Sequence, residues 1–411
     1  MLVENFDINK YSLATLAEVK AALRDASFLV VDARGCDAYA GWSTRFNKLG
    51  GHIKGATDFS VSWLKSVVDF ETEQHLVKVC QNKGIVAGVK VIIYDENRLD
   101  AFKVAEFFQS LGLDDISVFD LKLWDEKLVS YENYQLYVPP VVVADLLAGK
   151  AVKEIGEVNK LVVLNIGWGS KESSGYFEGH VPGAIHVNSD DFDDEENFYR
   201  LESDQVLMKL AMSKGIRVDT TVICSGSTIF ACRYAVILKY LGVERVYVMS
   251  GGLNAWVDSG LLLEAKDNPV VPVVDFGIKA PKNHHIIRTA SEVKSRIEDD
   301  SFMLVDNRTI EEYRGETSGY DYFSKAGRIN GAVFGYAGWG DSNSMHYYEN
   351  VDKTMRNAYE IRDMWLEAGI DTGKHLSFYC GGGYRAAKVF WDSKVMGLEN
   401  TSLYADGWCG F

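Results

Sequence analysis

Residues 376–397 read LSFYCGGGYRAAKVFWDSKVMG, and the rest of the chain is parsed from this stretch. Leu376 to Tyr379 is a short apolar run of strand type. Three glycines follow Cys380, and a helical pattern opens at about Arg385 and stops at Gly397. The phrase recurs upstream as KVIIYDENRLDAFKVAEFFQSLG at 90–112 and TVICSGSTIFACRYAVILKYLG at 221–242. Lys103, Arg233 and Lys388 keep one spacing from the closing glycines Gly112, Gly242 and Gly397, which suit helix C-caps.

The repeats extend on both sides of this phrase. Each copy has an earlier apolar strand ending in a polar triplet: FLVVDAR to Arg34, LVVLNIG to Gly167, FMLVDNR to Arg308. A glycine-framed turn follows: GHIKGA at 51–56, GHVPGA at 179–184, GRINGA at 327–332. A last strand closes each copy: ISVFD, VYVMSGG, TSLYADG. Self-similarity at this scale marks tandem units. β-rich apolar runs alternating with helical pattern predict parallel sheets covered by helices. The expected fold is therefore α/β, with three tandem domains that each hold a mainly parallel sheet. Proline cannot join a helix interior or a central strand. Pro139–Pro140 and the group Pro269, Pro272, Pro281 punctuate the chain accordingly. The expected domains are 1–137, 138–271 and 272–411.

Composition narrows the function. Of 411 residues, 47% are hydrophobic and 25% charged, as in a globular protein. A net charge of −15 repels phosphate backbones and anionic membranes, so neither nucleic acid nor membrane is an expected partner. No apolar run reaches the roughly 18 residues that a spanning helix needs. The start MLVENFDINK has no basic n-region and no apolar h-region. A cytoplasmic place is expected if the chain is complete, and a periplasmic one if a signal was removed. The six cysteines form no C-x-x-C pair, and no metal or cofactor is expected.

One cysteine stands in an unusual setting. Cys380 follows a strand and precedes Gly381, Gly382, Gly383, Tyr384 and Arg385. Consecutive glycines let backbone N–H groups curl into a nest around one sulfur. A helix start adds partial positive charge, and both effects favour thiolate. Arg385 adds a cation, and is expected to bond loop carbonyls or an acid such as Asp306. Aligning the helices puts Asp95 and Ser225 at the position of Cys380, so the first two domains lack the nucleophile. Cys409 reads as a packing residue beside Trp408, with a resolving thiol as the alternative. Trp42, Trp63, Trp168 and Trp256 read as core aromatics, and His284, His285 and His346 as loop residues.

These residues resemble the rhodanese (sulfurtransferase) superfamily. Its marks here are Asp306-Asn307-Arg308, the turn from Gly327 to Ala332, and the loop from Cys380 to Arg385. The run from Thr317 to Tyr320 with Tyr322 resembles three-domain members whose last domain alone carries the nucleophile. Arg328 departs from the usual histidine, which His52 and His180 keep. Asn165 and Gly167 depart from the Asp and Arg of the triplet. The resemblance implies a Cys380 persulfide and a small anionic donor such as thiosulfate. It also implies cyanide, a thiol or an acceptor protein as recipient, with Asp306 and Arg308 in support. Two-domain members hold the donor's anion with an arginine near Glu312, where this chain has Glu311 and Glu312. Lys325, Arg328, Arg314, Arg356 and Arg385 are the cations available for an anionic donor.

Two other readings stand beside it. Phosphatases and arsenate reductases also follow a strand with cysteine and arginine, but at Cys-x5-Arg, one residue wider than Cys380 to Arg385. A non-catalytic rhodanese-like scaffold requires that Cys380 never carries extra sulfur.

Overall fold

The computed structural model describes residues 10–411; the nine residues before them, read above for an export signal, lie outside the described residues. The chain forms two compact units. One holds the residues up to Tyr134 with Glu349–Asn357, and the other holds Gln135–Tyr348 with Ala358–Phe411.

The first unit contains β1 (Ser12–Leu13), β2 (Phe28–Asp32), β3 (Thr57–Asp58), β4 (Lys90–Asp95) and β5 (Ile116–Asp120) in the order β1-β5-β4-β2-β3. All pairs are parallel. Alternate residues point to opposite faces. Val31, Ile93 and Val118 therefore join a core with Trp63 and Phe108, while Val30, Ile92 and Phe119 join another with Val19 and Ile53. Covering both faces explains why these strands read as continuous apolar runs. The segment Glu349–Asn357 was expected inside the third domain, yet it packs here. Val351 enters this core, and Asn357 Nδ2 donates to Asp58 Oδ1 at 2.8 Å. Burial of one apolar side chain and pairing of a buried carboxylate hold it, neither of which a linear reading shows.

The second unit contains two more sheets of the same topology. One is built from β6 (Tyr137–Val138), β7 (Leu161–Gly167) and β8 (Ile185–Asn188), a separate antiparallel pair β9 (Asp193–Asp194) and β10 (Arg200–Leu201), then β11 (Thr221–Gly226) and β12 (Arg245–Met249). Its order is β6-β12-β11-β7-β8. The other is built from β13 (Ile287–Arg288), β14 (Phe302–Asp306), β15 (Val333–Phe334), β16 (His375–Tyr379) and β17 (Thr401–Tyr404), ordered β13-β17-β16-β14-β15. Helices Thr228–Leu241 and Tyr384–Val395 pack against each other, so both are buried nearly all round. Charges inside that contact are paired, as burial requires. Lys388 Nζ meets Asp392 Oδ2 at 2.7 Å, and Tyr137 donates to Asp392 at 2.8 Å. Among the described residues no helix is long and apolar enough to cross a membrane.

Candidate active site

In open parallel sheets the strand order reverses at one point, and a crevice opens beyond the strand ends there. β14 continues to β15 on one side and β16 to β17 on the other, so that point lies between β14 and β16. Cys380 follows β16 directly. Its Sγ accepts a hydrogen bond from the Gly383 amide at 3.2 Å. Gly383 is the N-cap of helix Tyr384–Val395, so this amide belongs to the positive end of the helix. The loop needs its glycines. Gly383 has φ +89°, and a Cβ there would fall 2.3 Å from the Ala405 carbonyl oxygen. A Cβ on Gly381 would fall 2.1 Å from Tyr320 Cζ. The loop's own carbonyls are tied down: Trp408 N donates to Cys380 O at 2.7 Å and Cys409 N to Gly381 O at 3.2 Å.

Arg385 braces this loop through a partner that the sequence reading did not select. Its two terminal nitrogens donate to the two Glu312 oxygens, both at 2.8 Å, and Nη2 also meets the Tyr320 hydroxyl. Glu312 is fixed in turn by a capping box, in which Thr309 N donates to Oε2 at 2.9 Å. Burial pushes the Glu312 carboxyl up, but Arg385 more than offsets this and holds it below its usual range. Asp306, the expected partner, is engaged elsewhere. Arg308 grips it with two 2.8 Å bonds and reaches the Gly327 carbonyl at 2.7 Å, while Tyr379 donates its hydroxyl to it. Asp32 and Arg34 repeat this clasp in the first unit. The Asp-x-Arg pair thus staples the first strand to the glycine turn and does not touch the sulfur.

Arg328 keeps a related packing role where the other repeats have histidine. His52 and His180 stack on Tyr39 and Tyr176 at 3.8 Å and bond those residues' carbonyls. Arg328 lies 4.6 Å over the Tyr313 ring and donates to the Tyr313 carbonyl at 3.3 Å.

A cavity of about 1030 Å³ opens over the loop and is lined by Cys380, Gly382, Tyr384 and Arg385, with Cys380 and Arg385 each only 2% exposed. Its walls come from the second and third repeats. The second contributes Trp168, Asp190, Tyr199 and Phe230; the third contributes Glu311, Glu312, Tyr320, Asp321, Tyr322 and Asp341. Among the described residues, Arg385 is the one cation on this wall, and Glu312 already pairs it. Of the cations that the sequence offers for an anionic donor, the other four do not line this cavity among the described residues. Lys325 covers the Trp408 ring, Arg314 faces Glu316 at 3.9 Å, and Arg356 belongs to the segment packed in the first unit. Trp42, Trp63 and Trp256 are core residues as expected, whereas Trp168 is 64% exposed and stands at the cavity. Among the described residues no histidine lines it.

The other repeats fill the corresponding position differently. Asp95 ends β4, and its Oδ2 accepts from the Asp100 amide at 3.0 Å, so a carboxylate occupies the place of the sulfur. Burial and Asp100 push this carboxyl up to about 6. Ser225 lies inside β11 opposite Asn165, and its Oγ donates to the Leu164 carbonyl at 2.6 Å. In the third repeat the partner of Asp306 is Tyr379. Strand register therefore puts Gly226, not Ser225, at the level of Cys380. The helix alignment misses this because the strand-to-helix turn is one residue shorter in the second repeat. Burial pushes up the thiols of Cys36, Cys80, Cys224 and Cys409, the last to about 12 with Cys380 adding to it. Sequence reasoning missed Glu312 as a partner, read Trp168 as core, and did not select Asp190, Tyr199 or Phe230 from the second repeat. The acidic pair Glu311–Glu312 after a threonine was the available signal, since it reads as a capping box.

Three sheets of one topology, and a glycine loop holding a cysteine at the end of the last central strand, define a rhodanese-type protein. The rhodanese-like domain family matches residues 169–259 and 289–411, and the chain belongs to that family. It is 33% identical over 384 residues to thiosulfate sulfurtransferase YnjE of Escherichia coli, covering 92% of this chain and 85% of that one. Among solved structures it resembles an anaerobic ergothioneine biosynthesis enzyme from Chlorobium limicola in complex with its natural substrate trimethyl histidine. The TM-score is 0.89 at 30% identity, over 97% of this chain and 96% of that one. It matches equally well, at TM-score 0.89, 30% identity and the same coverages, an EanB structure with a cysteine persulfide and ergothioneine.

Proposed function

We propose that this chain is a sulfurtransferase that carries sulfane sulfur on Cys380. The Cys380 thiolate attacks the outer sulfur of thiosulfate, the S–S bond of the donor breaks, and sulfite leaves with its electron pair. The resulting persulfide anion rests against the Gly383 amide, and an acceptor such as cyanide or a thiol takes its outer sulfur. The carrying observation is the Cys380 sulfur on a cavity wall with a helix-start amide donating to it. Gly381, Gly382 and Gly383 shape the loop, Arg385 braces it, and Tyr384 anchors its far end. Asp306 and Arg308 tie the end of β14, next to the strand that carries Cys380, to the glycine turn. We read the chain as three domains with one nucleophile. A phosphatase would need the Arg385 guanidinium for a phosphoryl group, and Glu312 occupies it.

The wall favours a second reading of the acceptor. Asp190, Glu311, Asp321 and Asp341 are carboxylates, and Trp168, Tyr199 and Phe230 are aromatic. Aromatic faces and carboxylates together attract cations. A cationic group on the acceptor fits this wall better than an anion, and the Chlorobium limicola enzyme is seen with trimethyl histidine as its natural substrate.

Intact mass measurement after thiosulfate treatment tests the proposal. Wild type should gain one sulfur and Cys380→Ser none. Equal masses for treated and untreated wild type would remove the assignment in favour of a scaffold.

A further inference from the structure

We propose that Arg233 and Asp193, both from the second repeat, are positioning residues that keep the Gly383 amide on the Cys380 sulfur. The inference rests on reading Cys380 as the sulfur carrier.

The three repeats place a cation at one helix position, but they use it differently. Lys103 pairs with Asp100 and Lys388 with Asp392, each on its own helix. Arg233 pairs off its helix. Its Nη2 donates to Asp193 Oδ1 at 2.9 Å, with both side chains 0% exposed. Its Nη1 reaches across to the Ala405 carbonyl of the third repeat at 3.4 Å. The other Asp193 oxygen accepts from the Tyr384 hydroxyl, and the Arg233 guanidinium lies 5.5 Å from the Tyr384 ring centre.

Gly383 sits inside this clasp. A Cβ on it would lie 2.4 Å from Arg233 Nη1 and 2.3 Å from the Ala405 oxygen. Arg233 and Ala405 thus form two walls against Gly383, whose amide points at Cys380 Sγ. Displacing either wall frees that amide to turn. A carboxylate and a guanidinium pair strongly in so tight a buried space, and the two terminal nitrogens of Arg233 are both engaged.

Asp193 is itself held by a strained hairpin. Phe198 and Tyr199 between β9 and β10 have φ +59° and +58°, a region that non-glycine residues rarely adopt. Contacts with the third repeat compensate. Tyr199 packs on Tyr322 at 4.8 Å, Phe198 on Phe323 at 5.5 Å, and Leu201 N donates to Asp406 at 3.3 Å. The second repeat, without a nucleophile of its own, therefore supplies a rigid clamp to the neighbouring loop.

The test measures Cys380 alkylation by iodoacetamide across pH 5–9, alongside kcat and KM for sulfur transfer. Variants are Arg233→Ala, Arg233→Lys, Asp193→Asn and Tyr384→Phe. Loss of a hydrogen bond to a thiolate should slow alkylation at pH 7 about fivefold in Arg233→Ala and Asp193→Asn. In the same variants kcat should fall more than KM changes. Arg233→Lys should recover part of the rate, which a merely structural loss would not predict. Tyr384→Phe, which removes one hydroxyl, decides the matter if the arginine variants do not fold. Wild-type alkylation profiles in the folded variants would overturn the proposal. Alkylation needs no sulfur donor. Slowed alkylation in a protein that never gains sulfur would refute the carrier reading and leave the positioning role standing.

Discussion

Arg385 and Glu312 lie guanidinium to carboxylate through two 2.8 Å hydrogen bonds, with their side chains 2% and 1% exposed. This relationship changes the role expected of Arg385. A free guanidinium beside the sulfur would attract an anionic donor. A guanidinium saturated by a buried carboxylate acts as a brace between the helix behind Cys380 and the turn at Thr309.

Removing one partner of a buried pair leaves the other charge uncompensated. Glu312→Ala should cost roughly 3–5 kcal/mol of stability, read by urea denaturation. Arg385→Ala should lower turnover strongly. Unchanged turnover in a folded Arg385→Ala variant would take that residue out of the site.

The same pair sets a pH dependence. Glu312 titrates below its ordinary 4.5 in the folded chain, because Arg385 outweighs burial. A lowered folded value means the stabilisation is complete above the unfolded value. It is lost as pH falls through the folded one. Wild type should lose more thermal stability between pH 6 and pH 3 than Glu312→Gln. Parallel melting curves against pH would contradict the pairing.

Gly383→Ala meets two obstacles, a left-handed backbone and the Ala405 carbonyl. The first alone costs about 1–2 kcal/mol. If that strain is released by turning the Gly383 amide away from sulfur, turnover should fall about tenfold or more. Gly381→Ala should act likewise through Tyr320. Wild-type rates in either variant would show that the loop is not held as described.

The carboxylates on the cavity wall should repel thiosulfate. Screening grows as the Debye length shrinks from roughly 10 Å at 0.1 M to 3 Å at 1 M salt. KM for thiosulfate should therefore fall as salt rises, and it should fall in Glu311→Gln and Asp341→Asn. A cationic acceptor should show the opposite trend. Initial rates against ionic strength distinguish the two.

Burial pushes the Cys409 thiol up to about 12. Iodoacetamide at pH 7.5 should label Cys380 and leave Cys409 unmodified in the folded protein, as read by peptide mapping. Preferential labelling of Cys409 would make it the reactive thiol.

The local structure around Cys380 was readable from the chain alone. Strand, cysteine, triple glycine and helix lie within a dozen residues, and their backbone preferences are local. Three copies of one pattern likewise announced three sheets, because apolar period and glycine position repeat with them. Tertiary structure decided the rest. Glu312, not Asp306, receives Arg385; Arg233 and Asp193 arrive from another repeat; residues 349–357 leave the third repeat for the first core. Electrostatic pairing of buried groups depends on which side chains meet in space, and sequence separation carries almost no information about that. The sign of the cavity's charge belongs to the same class, since it sums residues that only the folded chain brings together.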